Sequence, residues 1–271
     1  MKITGGITDA DVDLGFTATG DLFHKKDLAD RLTSMFITLE HGSVCLLDGR
    51  WGIGKSVFAR QWVAELKSQN IPSIYFDAFS SDYMESPFEA LAGVFVKAAQ
   101  DAGRQADPKY KTFLLQASKV GKAVASTGAK IGVKALTLGL IGASEIKQLE
   151  DLKDDISDSF GDITEERIAH ILESHGKNEQ NFAALKASIE TLPDLLRPQE
   201  NDDTSCKTPL IVIIDELDRC RPDFALGIIE TLKHFFRANR VHFVLVTNRR
   251  HLELSVANRY GISEGISRKV L

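Results

Sequence analysis

The sequence predicts an α/β fold, a three-layer sandwich in which helices cover both faces of a mainly parallel sheet, with a long helical insertion. Two observations predict it. Residues 210–214 are an unbroken aliphatic run and 241–246 an apolar run interrupted only by His242, as expected of strands buried on both faces. Strand-like runs also alternate with amphipathic helices. The short apolar run 44–47 is followed by Val57, Phe58, Trp62, Val63 and Leu66 at helical spacing.

In chain order, 44–47 reads as a short buried strand that stops in a glycine-punctuated loop, and residues 55–66 as the helix after it. A turn at Asn70 to Pro72 leads to a second strand at 74–79. Ser86-Pro87 opens a further helix that reaches Gly103, with Phe88, Leu91, Val94 and Phe95 on one face. The expected division is 1–103 for the N-terminal segment and first half of the core, 104–176 for the helical insertion, and 177–271 for the second half. The polar, proline-bounded stretch 198–208 reads as a linker.

With 271 residues, 43% of them hydrophobic, the chain can bury a large core. A net charge of -5 gives no overall basic face for nonspecific nucleic-acid binding. Cys45, Cys206 and Cys220 are too few and too scattered for a disulfide framework or a four-ligand zinc site. The N-terminus lacks the apolar core of a signal peptide and soon carries Asp9, Asp11 and Asp13. The expected location is cytoplasmic, with membrane association left open by the basic segment described below.

The chemistry concentrates in two places. Gly49-Arg50-Trp51-Gly52-Ile53-Gly54-Lys55-Ser56 fits the phosphate-loop pattern, with strand before and helix after. Its glycines let backbone N–H groups close around phosphates, and the following helix presents its positive end. The expected nucleotide contacts run from Gly49 through Val57. Lys55 reaches the β- and γ-phosphates, and Ser56 ligates Mg2+. The second place is Asp215-Glu216 at the end of the 210–214 strand. Two carboxylates there are costly without a cation or polar partner. Asp215 is therefore assigned to the magnesium shell and Glu216 to polarising the attacking water; the alternative for Glu216 is a helix-start acid. After the 241–246 strand, Thr247 or Asn248 orients water if that strand lies between the other two. The alternative is that Asn248 caps the next helix.

Taken with 214–222, Ile-Asp-Glu-Leu-Asp-Arg-Cys-Arg-Pro, and with Trp51 inside the loop, the sequence resembles the KAP family of P-loop NTPases. Phe76-Asp77-Ala78-Phe79 looks like that family's second-strand motif, which usually ends in tryptophan. Asp21-Leu22 and Leu28-Ala29 look like its N-terminal approach. The resemblance covers Asp21 to about Gly103 and resumes from about Asn181. It implies a P-loop ATPase core, in family settings of mobile elements and antiphage defence. Two departures stand out. Asn248 occupies a position where many members carry an acid, and the family's fifth strand and helical lid are expected beyond Leu271. If the 271 residues are the whole product, a partner, a second copy or the N-terminal segment is expected to cover the sheet edge beside the phosphate-loop strand. Arg219, Arg221, Arg249 and Arg250 are the possible γ-phosphate fingers, with Arg219 favoured as structural and one of Arg219 and Arg221 expected to pair with Asp218.

Family members often carry transmembrane helices in the insertion. Here Lys130 and Lys134 interrupt the small-residue stretch 123–143, and each costs about 2.5–3.5 kcal/mol at a bilayer centre, so a soluble helical hairpin is the expectation. The basic segment 109–134 remains a candidate surface for anionic lipid or nucleic acid. An acidic stretch with Glu150, Asp151, Asp154, Asp155 and Asp158 is a candidate to mask it.

The leading functional expectation is an ATP-driven switch or motor acting on a partner. No Asn-Lys-x-Asp-like guanine reader is present, so ATP is preferred to GTP. The alternatives are a nucleotide-binding scaffold with little hydrolysis and a small-molecule kinase.

Overall fold

A computed structural model describes residues 15–17, 21, 24–126, 179–197 and 208–260. The elements are α1 (Lys26–Thr38), β1 (Val44–Asp48), α2 (Lys55–Ser68), β2 (Ser73–Asp77), α3 (Pro87–Asp101), α4 (Pro108–Ser126), a helical stretch α5 (179–189) and α6 (Leu192–Leu195). They continue with β3 (Leu210–Asp215), α7 (Pro222–Lys233), β4 (Val241–Thr247) and α8 (Arg249–Tyr260). Short 3₁₀ turns, Phe79–Ser81 and Leu217–Arg219, follow β2 and β3.

The four strands form one sheet in the order β1-β4-β3-β2, and every pairing is parallel. Side-chain alternation explains why both faces need helices. Leu210, Val212 and Ile214 of β3 join one core with Phe76, Phe88, Leu91 and Phe243. Ile211 and Ile213 join the other with Phe58, Trp62, Val244 and Val246. The α/β three-layer expectation holds for the described residues.

Local chemistry sets the helix starts. Asp21 accepts from the backbone N–H groups of Lys25, at 2.6 Å, and Lys26, at 3.0 Å, and so caps α1. Ser86 accepts from the Glu89 N–H at 3.3 Å, with Pro87 in the first turn of α3. Gly227 on α7 meets Pro87, where an added Cβ would lie 2.5 Å from the proline Cγ. A proline ring has no flexible end to move aside. Gly227→Ala is therefore expected to destabilise the protein by about 1–3 kcal/mol in denaturant unfolding.

Two sequence expectations change. The 44–47 run was expected to be buried, but β1 is an edge strand among the described residues, with Val44 37% and Leu46 41% exposed. An apolar run cannot by itself distinguish a central strand from an edge strand. The second change concerns the expected insertion. Its first part is α4, where Tyr110, Phe113, Ala117 and Val120 are buried in the core, and Phe113 packs edge-on against Phe95 at 6.0 Å. Lys109 and Lys111 lie on the exposed face. The stretches 127–178 and 198–207, which include the expected hairpin, acidic stretch and most of the linker, lie outside the described residues. Among the described residues no helix is long and apolar enough to cross a membrane.

His242, at 0% exposure on β4, sits 5.0 Å ring to ring from Phe36. Its Nδ1 pairs with Ser43 Oγ at 2.9 Å; its Nε2 points toward the Phe36 backbone without hydrogen-bond geometry. Burial pushes its pKa down to about 4 from 6.5. A histidine held neutral in the fold stabilises above the unfolded value, and that stability is lost as pH falls from about 6.5 to about 4. The loss from this group is on the order of 3 kcal/mol. His242→Gln should flatten the stability curve over that window; an unchanged slope would contradict the assignment.

Candidate nucleotide-binding site

The sheet order decides the geometry. Because β4 lies between β1 and β3, the loop after β1 and the carboxylates after β3 emerge at the same sheet end, with Thr247 between them. The loop is anchored to β4 by the Gly49 N–H donating to Thr247 O at 3.2 Å. Gly52 and Gly54 each have φ +83°, a backbone that side-chain-bearing residues rarely adopt, and Gly54 is the left-handed residue that starts α2. Lys55 Nζ donates to Gly49 O at 2.6 Å and Arg50 O at 3.1 Å, so the motif's cation lies within the loop's curl.

Lys25 is a residue the motif reading missed. Its Nζ donates to Ile53 O at 3.1 Å and Gly54 O at 3.3 Å, which brings a second ammonium from the start of α1 onto the loop. Only the Asp21 cap just before it gave a sequence signal.

At the end of β3, Asp215 is 1% exposed. Its Oδ2 accepts from the Tyr75 hydroxyl at 2.8 Å and its Oδ1 from the Glu216 N–H at 2.8 Å, which satisfies a buried carboxylate and fixes its plane. Burial and the neighbouring Asp215 push the Tyr75 phenol far up, so it serves only as a donor. Tyr75 was invisible to motif reading because it depends on β2 lying beside β3.

Glu216 has φ +59°, which is strained for a non-glycine residue. Its carboxylate pairs with Arg219 at 2.8 Å. Burial raises its pKa, as do Asp215, Asp77 and Asp218, while Arg219 opposes the shift. Cys220 donates to Glu216 O at 3.5 Å, and burial with the surrounding carboxylates pushes its thiol up to about 12, so it is not a nucleophile.

The arginine expectations are sorted by these contacts. Neither Arg219 nor Arg221 pairs with Asp218, contrary to expectation. Asp218 instead accepts from Trp51 Nε1 at 2.5 Å and Thr247 Oγ1 at 3.0 Å. Arg221 holds the loop after β2 through Asp82 and Met84 O. Arg249 pairs with Glu253 at 2.7 Å, whereas Arg250 makes no ion pair among the described residues. Asn248 Oδ1 accepts from the His251 N–H at 3.4 Å, the geometry of a cap for α8, and Thr247 is fully buried.

No group of three or more His, Cys, Asp or Glu side chains placed to hold a metal occurs among the described residues. Mg2+ in nucleotide sites is held by few protein oxygens plus phosphate and water. Ser56 in the first turn of α2 and the oriented Asp215 are the donors such a site offers.

A phosphate loop between a parallel strand and a helix, facing an acidic strand end, defines a P-loop nucleotide-binding domain. The chain belongs to the KAP family: the model for the KAP family P-loop domain matches residues 25–270. The match runs through the interval 104–180, which the motif resemblance had left open. No curated protein matches the chain significantly. Family membership carries nucleotide binding and points to NTPase chemistry.

Proposed function

We propose that the protein is an ATP-hydrolysing switch whose nucleotide state is passed to a partner. In this reading the backbone of Gly49 to Val57 wraps the phosphates, and Lys55 contacts the β- and γ-phosphoryl oxygens. Ser56 and Asp215 hold Mg2+, which neutralises charge on those oxygens when bound. Glu216 accepts the proton of the attacking water, and Asn248, at the head of α8, orients that water. ATP is the preferred nucleotide, because nothing in the sequence supplies a guanine reader.

The observation that supports this reading most is the strand order. It sets a buried carboxylate with both oxygens held, and a partly buried glutamate beside it, at the same sheet end as the phosphate loop. Hydrolysis is favoured over phosphoryl transfer because Glu216 directly follows the magnesium aspartate. Phosphate release from ATP with Mg2+ and no added acceptor tests this. Release that requires a small-molecule acceptor would make the protein a kinase, and stoichiometric binding without release would make it a scaffold.

The edge of β1 is the surface we propose for a second copy or a protein partner, since Val44 and Leu46 are exposed there. Arg250 is then the arginine left for a neighbour's γ-phosphate. Mass measured by light scattering should rise with Mg·ATP; a constant monomer mass would contradict the self-association. Defence settings and lipid or nucleic-acid contact at 109–134 remain proposals from family resemblance and charge, tested by adding vesicles or DNA to the hydrolysis assay.

A further inference from the structure

We propose that Trp51 is a positioning residue that ties the phosphate loop to the turn carrying Glu216 and to the first turn of α8. This rests on the reading of Glu216 given above.

An indole at the tip of a phosphate loop, 51% exposed, gains little from burial. It is held instead by specific contacts. The Nε1–H donates to Asp218 Oδ2 at 2.5 Å, and the ring stacks on His251 with centroids 4.0 Å apart and planes 25° from parallel. The other Asp218 oxygen accepts from Thr247 Oγ1 at 3.0 Å. One carboxylate therefore joins the loop after β1, the turn after β3 and the end of β4. Asp218 lies two residues beyond Glu216, whose left-handed backbone persists only where neighbours fix it. The start of α8 is fixed in turn to the end of β1, through the Arg249 N–H and Asp48 Oδ1 at 2.9 Å.

Removing the indole N–H leaves Asp218 with one donor and frees the Glu216 turn on its phosphate-loop side. Lys55 and the loop amides are untouched, so affinity for nucleotide should hold while the rate of the chemical step falls. Such a change lowers kcat without raising KM.

Trp51→Phe keeps an aromatic ring beside His251 and removes the N–H donor together with part of the indole surface. Asp218→Asn leaves one acceptor oxygen for two donors. Each variant is expected to lower kcat for phosphate release about tenfold, with KM within about twofold of wild type. The double variant should be no more than about twofold slower than the slower single variant, because both substitutions remove the same contact. Unchanged kcat in Trp51→Phe, multiplicative losses in the double variant, or a rise in KM at constant kcat would each overturn the proposal. Should Asp218→Asn fail to fold, Trp51→Phe decides alone: an unchanged kcat, or a rise in KM at constant kcat, overturns the proposal.

A readout that needs no turnover is also available. The chain has two tryptophans, and Trp62 is fully buried with its N–H on Thr33, so emission quenched by acrylamide reports Trp51. Mg·ATP is expected to change that emission by a different amount in wild type and in Asp218→Asn, where the loop still binds nucleotide but the indole has lost its carboxylate partner. An identical response in both overturns the proposal. The measurement decides even if wild type releases no phosphate, so failure of the hydrolysis reading and failure of this one are seen separately.

Discussion

Lys55→Ala is expected to weaken nucleotide binding by at least about 100-fold, because charge-assisted contacts to phosphate are the strongest single interactions such a loop makes. The Lys55 ammonium already bonds Gly49 O and Arg50 O, so it lies inside the curl that phosphates enter. Its loss removes both the cation and a cross-link across the loop. The neighbouring ammonium of Lys25 does not compensate, since it is engaged by the Ile53 and Gly54 carbonyls and not by those of Gly49 and Arg50. Titration calorimetry with Mg·ATP measures the effect. Affinity within about threefold of wild type would show that Lys55 is not a phosphate ligand. The fold should survive, because Lys55 is only partly buried and belongs to neither core.

Glu216→Gln should lower the rate of phosphate release by about 10²–10³-fold while nucleotide still binds, the magnitude expected when a general base loses its charge. The amide is isosteric and leaves the backbone bonds to Asp215 and Cys220 in place, removing the charge and with it the Arg219 ion pair. The pH dependence follows from the direction of the shift. Burial raises the Glu216 pKa, and the ionised form is the active one, so the wild-type rate should fall with decreasing pH at a point above the ordinary glutamate range. In Glu216→Gln that limb should vanish from the residual rate. A wild-type rate in the variant would return Glu216 to the role of a helix-start acid and leave water activation to another group.

The parts of this molecule legible in its sequence are those with a local cause. The phosphate loop needs glycines at φ +83° and a lysine one position on, so it is written in eight consecutive residues. The strand β3 is buried on both faces and reads as an unbroken aliphatic run that ends in its own carboxylate. The helix start at Ser86-Pro87 is equally local. What the sequence hid depends on which strands are neighbours. Tyr75 supports Asp215 only because β2 pairs with β3, with Asp77 opposite Asp215. Asp218 looked like a partner for the arginines beside it, yet those arginines turn to Glu216 and Asp82, and β4 delivers Thr247 to Asp218 across the sheet. Trp51 was recognisable as a family mark, but its partner 167 residues away was not. The 44–47 run itself gave no sign of its edge position, which only the family resemblance implied, because an apolar run has no periodicity to report it.

The most direct test of the central claim is phosphate release from ATP by the purified chain, with and without Mg2+, beside Lys55→Ala and Glu216→Gln. Mg2+-dependent release without an added acceptor is expected, abolished in Lys55→Ala together with binding and in Glu216→Gln with binding retained. Release that persists in Glu216→Gln, or tight Mg·ATP binding by wild type without release at any protein concentration, would contradict it.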